Sequence, residues 1–259
     1  MCLVWGRKKT RTIQYQSNSQ KTYSGTEELL GLEESLPGYN NDVVRKLGTG
    51  LGVRVNEKIP TQKVLEFGAG TGALAEIWRS QFSIKPVCIE IDPVLIQILR
   101  SKGFETHENI IDLNSEFDLV YTSNVLEHFE EDVSALVTIR KKMKQGGKIA
   151  IYVPALPMLY SDFDRKIGHF RRYRKKELQD KVKLAGFDIE KCYYSDCVGV
   201  LAWLTLRILR YQNSKSIGTE KSPLFYDKYL YPVSRVLDRL IFRHLIGKNL
   251  LLFAVNRSS

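Results

Sequence analysis

The sequence has few cysteines and no long apolar run, and both absences limit what it can encode. Four of its 259 residues are cysteine, without a CxxC pair of the metal-binding type. We therefore expect free thiols in a reducing compartment. The longest apolar stretch, residues 198–209, is interrupted by Arg207 and is too short to span a bilayer. No apolar run of signal-peptide length follows the first residues, so we expect a cytoplasmic protein rather than a secreted one.

Acidic residues are also scarce relative to basic ones. The chain has 39 Lys and Arg against 29 Asp and Glu, a net charge of +10. Residues 1–25 hold five basic and no acidic side chains, and residues 198–259 hold ten basic against three acidic. This excess favours an anionic partner such as nucleic acid, phospholipid headgroups or a phosphorylated substrate, although it is also typical of a solvated surface. Residues 1–24 are polar and predict a flexible basic tail, followed by one domain over residues 25–259.

The most informative segment is a glycine-rich turn that follows a short apolar strand. We predict a strand over residues 63–67 and a second over residues 86–90, which ends in Glu90. The glycines between them stand at alternate positions, Gly68, Gly70 and Gly72. Glycine allows a sharp turn and lets the backbone approach a ligand closely. Because Glu90 follows the turn by about 20 residues, its carboxylate is expected to reach the hydroxyls of a ribose.

Two cofactors compete for this turn. Its glycine pattern also fits the relaxed fingerprint of dinucleotide-binding proteins. Glu66 lies directly before the turn, where its carboxylate would repel the pyrophosphate of a dinucleotide. S-adenosylmethionine (SAM) has no phosphate and carries an ammonium and a sulfonium. The sequence therefore favours SAM, with NAD as the alternative.

Strands and helices alternate through the middle of the chain, which indicates an α/β sheet that is mostly parallel. Further strands are predicted at residues 104–107, 117–121, 148–153, 187–194 and 250–256. Helices are predicted at residues 72–80, 92–102, 131–144 and 175–185. We expect glycines 146 and 147 to close the third of these helices. Ligands in such sheets bind beyond the carboxyl ends of the strands.

Three segments lie outside this alternation. Residues 26–56 are expected to be partly helical, with a break at Pro37. Residues 154–174 form a long predicted loop after the fifth strand, and loops of this length usually serve a function. Residues 197–249 form a predicted insertion between the last two strands, with amphipathic helices at residues 198–211 and 226–245.

Four short motifs in this framework resemble those of class I SAM-dependent methyltransferases. They read LEFGAGTG at residues 65–72, CIEID at 88–92, SNVLEH at 123–128 and QGGK at 145–148. A narrower resemblance, to a bacterial subfamily often associated with glycosyltransferases and surface-glycan genes, rests on NVLEHFEED at 124–132, VPA at 153–155 and DxxxGHFRRY at 164–173. The resemblance implies a Rossmann-like sheet of seven strands, mostly parallel with an antiparallel last strand and helices on both faces.

The candidate SAM-binding residues follow the ends of the first four strands. They are Glu66, Gly68, Gly70, Gly72, Glu90, Ile91, Asp112 and Asn124. Some quinone-type O-methyltransferases bind a metal through a Glu-His pair with a second acid three residues earlier. In this chain the pair is Glu127 and His128, and Asn124 stands where that acid would be. We therefore predict no metal.

His169, in the loop after the fifth strand, is the first candidate catalytic base. An imidazole exchanges protons near neutral pH and could accept the proton of an acceptor hydroxyl. Asp162 and Asp164 are the neighbours that could orient it, and His128 is the rival base. Both histidines also have a purely structural interpretation, in which they only hold the loop by hydrogen bonds.

These observations predict methyl transfer to a small molecule, a hydroxyl of a sugar or of a lipid-linked glycan. The basic insertion could then lie on the inner face of a membrane through Leu201, Trp203 and Leu204, or it could form only a lid on the sheet. A nucleic-acid methyltransferase is the alternative that the charge suggests, but the Asn/Asp-Pro-Pro-aromatic loop of enzymes that act on base amines is absent after the fourth strand. A SAM-binding protein without catalysis is the third hypothesis. The sequence does not predict the oligomeric state.

Overall fold

The computed structural model describes residues 36–55, 62–208 and 221–257, so the predicted basic tail lies outside the described residues. The strands are β1 (Val64–Phe67), β2 (Val87–Ile89), β3 (Thr106–His107), β4 (Phe117–Ser123), β5 (Met143–Pro154), β6 (Asp188–Ser195) and β7 (Asn249–Val255). The helices are α1 (Pro37–Gly50), α2 (Ala73–Phe82), α3 (Pro93–Ser101), α4 (Asp132–Arg140), α5 (Asp162–Lys166), α6 (Lys175–Leu184), α7 (Cys197–Ile208), α8 (Lys221–Phe225) and α9 (Tyr231–Leu240).

The strands form one seven-stranded sheet in the order β3-β2-β1-β4-β5-β7-β6. Neighbours from β3 to β5 pair in parallel, and β7 runs antiparallel to both β5 and β6. The order reverses between β1 and β4, where a crevice for a ligand opens in folds of this kind. This sheet confirms the predicted Rossmann-like architecture. Within the ranges that the structure describes, no helix has the length and apolar character needed to cross a membrane.

The core has two layers because successive side chains of a strand point to opposite faces of the sheet. In β5, Ile149, Ile151 and Val153 pack with α4 and α6 on one face. Ala150 and Tyr152, between them in sequence, pack with α1 and α2 on the other face. Both layers are therefore sealed by helices, and the open space lies at the carboxyl edge of the sheet.

One predicted helix boundary is wrong, and another is tested on one side only. Pro37 begins α1, because proline is well suited to a first helical turn whose N–H groups have no partner in the helix; the residues before Leu36 lie outside the described part of the chain. Helix α4 ends at Arg140 instead of residue 144, and residues 143–147 already belong to β5, where Met143 pairs with Phe117 of β4. Pairing between strands thus overrides the helical pattern of the lysine-rich segment.

The predicted loop over residues 154–174 is more ordered than expected. It contains a 3₁₀ turn at Pro157–Leu159 and the short helix α5. Helix α5 begins with a capping box in which the Asp164 carboxylate accepts hydrogen bonds from both the backbone N–H and the hydroxyl of Ser161. The loop is also tied to its surroundings through Asp132 of α4, which accepts hydrogen bonds from Arg171, Tyr173 and Lys181.

The insertion between β6 and β7 differs from the second of the two predicted helices. The first is helix α7, described over Cys197–Ile208, and residues 209–220 lie outside the described part of the chain. The second predicted helix is instead α8, a π-helical turn at Tyr226–Leu230 and α9, followed by a 3₁₀ turn at Phe242–His244. Asp227 of the π turn accepts hydrogen bonds from the backbone of Gly38 and Tyr39, which fixes this segment against the start of α1.

Candidate functional site

A cavity of about 520 Å³ opens at the carboxyl ends of β1, β2, β4 and β5. Its volume lies within the range of small-molecule sites. The cavity is lined by nine of the predicted site residues: Glu66, Gly68, Gly70, Glu90, Ile91, Asn124, His128, Asp164 and His169. Gly72 and Asp112 do not line it. Gly72 is the N-cap of α2 and faces Leu99, and Asp112 lies exposed in a 3₁₀ turn after β3.

The glycine turn forms one wall of the cavity and is held tightly against its neighbours. The backbone N–H groups of Gly68 and Ala69 both donate to the carbonyl of Ile89 at 2.9 Å. Gly68 has φ +78°, a left-handed conformation in which a side chain is strained. A Cβ atom there would also lie 2.4 Å from Cγ2 of Val125. Glycine is therefore required at this position on two independent grounds.

Two carboxylates stand beside this turn, and the protein holds each of them in place. Tyr121 of β4 donates a hydrogen bond to Glu66 Oε2 at 2.8 Å, and Glu66 is only 2% exposed. Glu90 accepts from the backbone N–H of Gly70 at 2.8 Å, and from those of Ile91 and Asp92 at 2.8 and 3.0 Å. In contrast to these buried groups, the side chain of Ile91 is 68% exposed at the edge of the cavity.

The opposite end of the cavity contains the predicted histidine and its partner. Nδ1 of His169 lies 3.0 Å from Oδ1 of Asp164, and Nε of Arg172 donates to the same oxygen at 2.8 Å. Burial opposes the ionisation of Asp164, but the hydrogen bonds from His169 and Arg172 outweigh it and lower the pKa of this carboxyl. An ionised Asp164 can orient the imidazole and stabilise its protonated form.

Two further titratable groups surround His169. Oε1 of Glu127, a fully buried side chain, lies 3.6 Å from Nε2 of His169, and neither carboxyl oxygen of Glu127 has a hydrogen-bond partner in the described structure. Burial raises the pKa of Glu127 to about 8. The His128 ring packs edge-on against that of His169, with centroids 4.6 Å apart. Burial, followed by the nearby His169, lowers the pKa of His128 to about 4.

These three side chains form a cluster that the sequence did not indicate. The ligand atoms of Glu127, His128 and His169 all lie within 4.8 Å of one another, close enough to hold a metal ion. Glu127 and His128 are neighbours in the motif, but His169 is brought in by the fold of the loop after β5. The prediction that there is no metal considered only the missing acid at Asn124 and not His169 as a possible third ligand, and it stays a prediction.

Several residues that line the acceptor end were not predicted as site residues. Trp203 of α7 donates from Nε1 to the carbonyl of Leu159, and the guanidinium of Arg172 stacks 4.5 Å from its ring centroid. Tyr226 lies in the insertion, and Lys248 is the residue directly before β7; both line the cavity. Arg172 belongs to the basic cluster that the sequence places at the GHFRRY motif, which suits a phosphate or carboxylate or is only a solvated helix start. The other three carry no local signal, because only the folded insertion brings them to the cavity.

Comparisons with known proteins are consistent with this architecture. Residues 34–191 match the family described as methyltransferase domain. No curated protein sequence matches the chain. A methyltransferase in complex with the Trm112 activator of Haloferax volcanii is similar at 13% identity and TM-score 0.61, over 93% of this chain and 100% of that one.

Two further solved structures share the fold. A SAM-dependent methyltransferase from Archaeoglobus fulgidus is similar at 17% identity and TM-score 0.56, over 88% of this chain and 99% of that one. Phosphoethanolamine N-methyltransferase 2 of Haemonchus contortus, in complex with SAM, is similar at 16% identity and TM-score 0.57, over 93% of this chain and 59% of that one. With more than half of its residues matched by the family, this chain belongs to the methyltransferase domain family.

Proposed function

We propose that this methyltransferase transfers a methyl group from SAM to a hydroxyl of a small-molecule acceptor, a sugar or a lipid-linked glycan. One observation carries the proposal: a single cavity has two fixed carboxylates at one end and an Asp164-oriented His169 at the other. The first pair suits a cationic cofactor, and the second suits an acceptor that must lose a proton.

The cofactor end has the features that SAM requires. Glu66 supplies negative charge for the ammonium and sulfonium groups, Glu90 stands where a carboxylate would reach the ribose hydroxyls, and the edge of the cavity offers the exposed side chain of Ile91 to an adenine ring. Asn124 and the glycine turn complete this wall with polar backbone and little side-chain bulk. Bound SAM supplies an activated methyl group, so the protein has to align the acceptor and exclude water.

His169 is the residue that we assign as general base. Its Nδ1 is engaged by Asp164, so Nε2 is the nitrogen left to accept the proton of a hydroxyl. Asp164 would then stabilise the imidazolium that forms. His128 is less suited to this role, because a pKa of about 4 makes it a weak base.

The acceptor end suits a molecule that combines hydroxyl groups with apolar faces. The rings of Phe163 and Trp203 pack edge-to-face with centroids 5.8 Å apart, and Tyr226, Lys248 and Asn249 add polar groups beside them. To reach a lipid-linked acceptor, a cytoplasmic protein would have to work at the inner face of a membrane. Of the residues predicted to touch that membrane, Leu201 is 65% exposed, whereas Trp203 faces the cavity.

The test is incubation with labelled SAM and extracted glycolipid, with the product identified by mass spectrometry. We expect His169→Ala to lower turnover by about 100-fold or more while calorimetry shows unchanged SAM binding. His107→Ala is the matched control, since His107 lies on β3 outside the cavity. Full turnover by His169→Ala would refute the assignment of the base. Methylation of RNA or DNA instead of glycolipid would refute the acceptor, and binding of NAD in place of SAM would refute the cofactor.

A further inference from the structure

Helix α9 is oriented with its polar side inward and its apolar side outward. The inward residues of the helix are Tyr231, Ser234 and Asp238, which are at most 5% exposed. The outward residues include Val233, Val236 and Leu240, which are 51%, 59% and 69% exposed. A helix on a soluble protein normally has the opposite arrangement, because burying its apolar stripe is what stabilises it.

Hydrogen bonds in the interior explain why the helix keeps this orientation. The hydroxyl of Tyr231 donates to Asp42 of α1 at 2.7 Å, and the hydroxyl of Ser234 donates to Asp196 at 2.9 Å. Asp238 accepts from the backbone N–H groups of Asp196 and Cys197 at 2.6 and 3.0 Å. Rolling the helix to bury its apolar side would leave these groups without partners inside the protein, which is costly.

The apolar side of α9 is part of a larger exposed surface. Residues before and after the helix extend it, and the patch, called here the α9 surface, includes Phe225, Tyr229, Val233, Val236, Leu240 and Leu245. Each of these side chains is more than half exposed. Contiguous apolar surface of this kind on a soluble protein marks a site of interaction with a protein or a membrane.

The charges around the α9 surface distinguish between these occupants. Lys228, Arg239 and Arg243 are exposed beside it. The acidic residues of residues 223–248 are Asp227 and Asp238, and both are turned inward onto backbone N–H groups. The outward charge of this segment is therefore positive, which complements anionic lipid headgroups and favours insertion of the adjacent apolar side chains.

A second copy of the chain fits this surface less well. In a two-fold dimer the same patch meets itself, so the three cations of each copy would face those of the other. No acidic side chain of residues 223–248 points outward to pair with them. Like charges brought together in this way oppose association.

We propose that the α9 surface docks the protein on a lipid bilayer that contains anionic lipids. The inference rests on the proposed function, because Tyr226, in the turn before α9, lines the cavity. A docked α9 surface thus places the acceptor end of the cavity close to the membrane, where the sugar of a lipid-linked glycan would be found. It assigns the contact mainly to α9, whereas the sequence had suggested α7.

The experiment is flotation of the full chain with vesicles of phosphatidylcholine alone or mixed with phosphatidylglycerol. We expect flotation with the mixed vesicles only, weakened by salt. Arg239→Gln with Arg243→Gln should lower partitioning by about 30-fold, at about fivefold for each cation. Val233→Ser, Val236→Ser and Leu240→Ser together should abolish it. Matched controls elsewhere are Lys183→Gln with Lys191→Gln for charge, and Val94→Ser with Leu184→Ser for exposed apolar residues.

Three outcomes would overturn this proposal: no flotation of the wild-type chain, equal loss in the controls, or light scattering that shows a dimer dissociated by the α9 variants. Thermal unfolding and SAM calorimetry on each variant verify that it is folded. Methylation of glycolipid dispersed in detergent separates the two proposals. Methylation of the dispersed glycolipid without flotation would leave the proposed function intact and reject the docking. Flotation without glycolipid methylation would leave the docking intact and reject the proposed function.

Discussion

Replacing Gly68 with alanine tests whether the glycine turn is fixed by its neighbours. The new Cβ would require a left-handed backbone conformation, which costs about 1–2 kcal/mol for a residue other than glycine. It would also approach Cγ2 of the half-buried Val125 to 2.4 Å, and overpacking of this kind costs about 1–3 kcal/mol. We therefore expect Gly68→Ala to lower the free energy of unfolding by about 2–5 kcal/mol and to weaken SAM binding.

Gly146 provides a matched control for the conformational part of this cost. Its φ of +77° is nearly that of Gly68, but no atom lies within 4 Å of the Cβ position. Gly146→Ala should therefore cost only about 1–2 kcal/mol. Denaturant unfolding of both variants measures the difference, and equal losses would show that the contact with Val125 does not constrain the turn.

The contact itself can be isolated by a double-mutant cycle. Val125→Ala removes both γ-methyl groups that the new Cβ of Gly68→Ala would meet. In the double variant we expect part of the loss of stability to be recovered, with a coupling energy of about 1 kcal/mol or more. Strict additivity of the two substitutions would refute the steric argument.

Three further predictions concern the loop after β5 and the residues packed against it. With a chelator present, stability should fall as pH rises from 6.5 to 8, because folded Glu127 keeps its proton up to about 8 and unfolded Glu127 loses it near 4.5. The lowered pKa of His128 changes stability in the opposite direction, but only below pH 6.5. Glu127→Gln should therefore flatten the unfolding free energy measured between pH 6.5 and 8. Asp132→Ala should destabilise the fold by about 1–3 kcal/mol because it leaves the buried hydroxyl of Tyr173 without its acceptor. The same change at Asp162, 94% exposed, should cost about 0.5 kcal/mol or less by denaturant unfolding. Trp203→Leu should raise the acceptor KM without changing SAM affinity by calorimetry, since Trp203 lines only the acceptor end.

The sheet could be predicted from the sequence because its strands carry strong local signals. The glycine turn and the cap at Asp92, whose carboxylate accepts from the backbone N–H groups of Val94 and Leu95, both arise from residues close in sequence. The boundary between α4 and β5 could not be predicted in the same way. Residues 143–147 have the composition of a helix end, but Met143 pairs with Phe117 of β4, which lies 26 positions away in the chain.

The candidate site also has one part that local sequence predicts and one part that depends on contacts distant in sequence. The pairing of His169 with Asp164 spans five residues and could be predicted from the motif that contains both. Glu127 follows β4 and His169 lies in the loop after β5, so only the fold brings them together. The raised pKa of Glu127 depends on burial that the folded loop creates. The SAM-binding and catalytic roles of these residues remain predictions, as does the association with glycan genes.

The orientation of α9 marks a limit of sequence patterns that has a simple physical cause. An amphipathic period identifies two sides of a helix but does not say which one faces the protein. Here the polar side faces inward because the hydroxyl groups of Tyr231 and Ser234 donate hydrogen bonds to Asp42 and Asp196, which are far away in sequence. Substituting Asp42 with asparagine would keep a hydrogen-bond acceptor but remove the charge, whereas leucine would remove both. If interior hydrogen bonds rather than packing orient the helix, the leucine variant should lose both stability and flotation, while the asparagine variant should retain flotation. Equal flotation by the two variants would instead show that the apolar side is held outward by something other than these bonds.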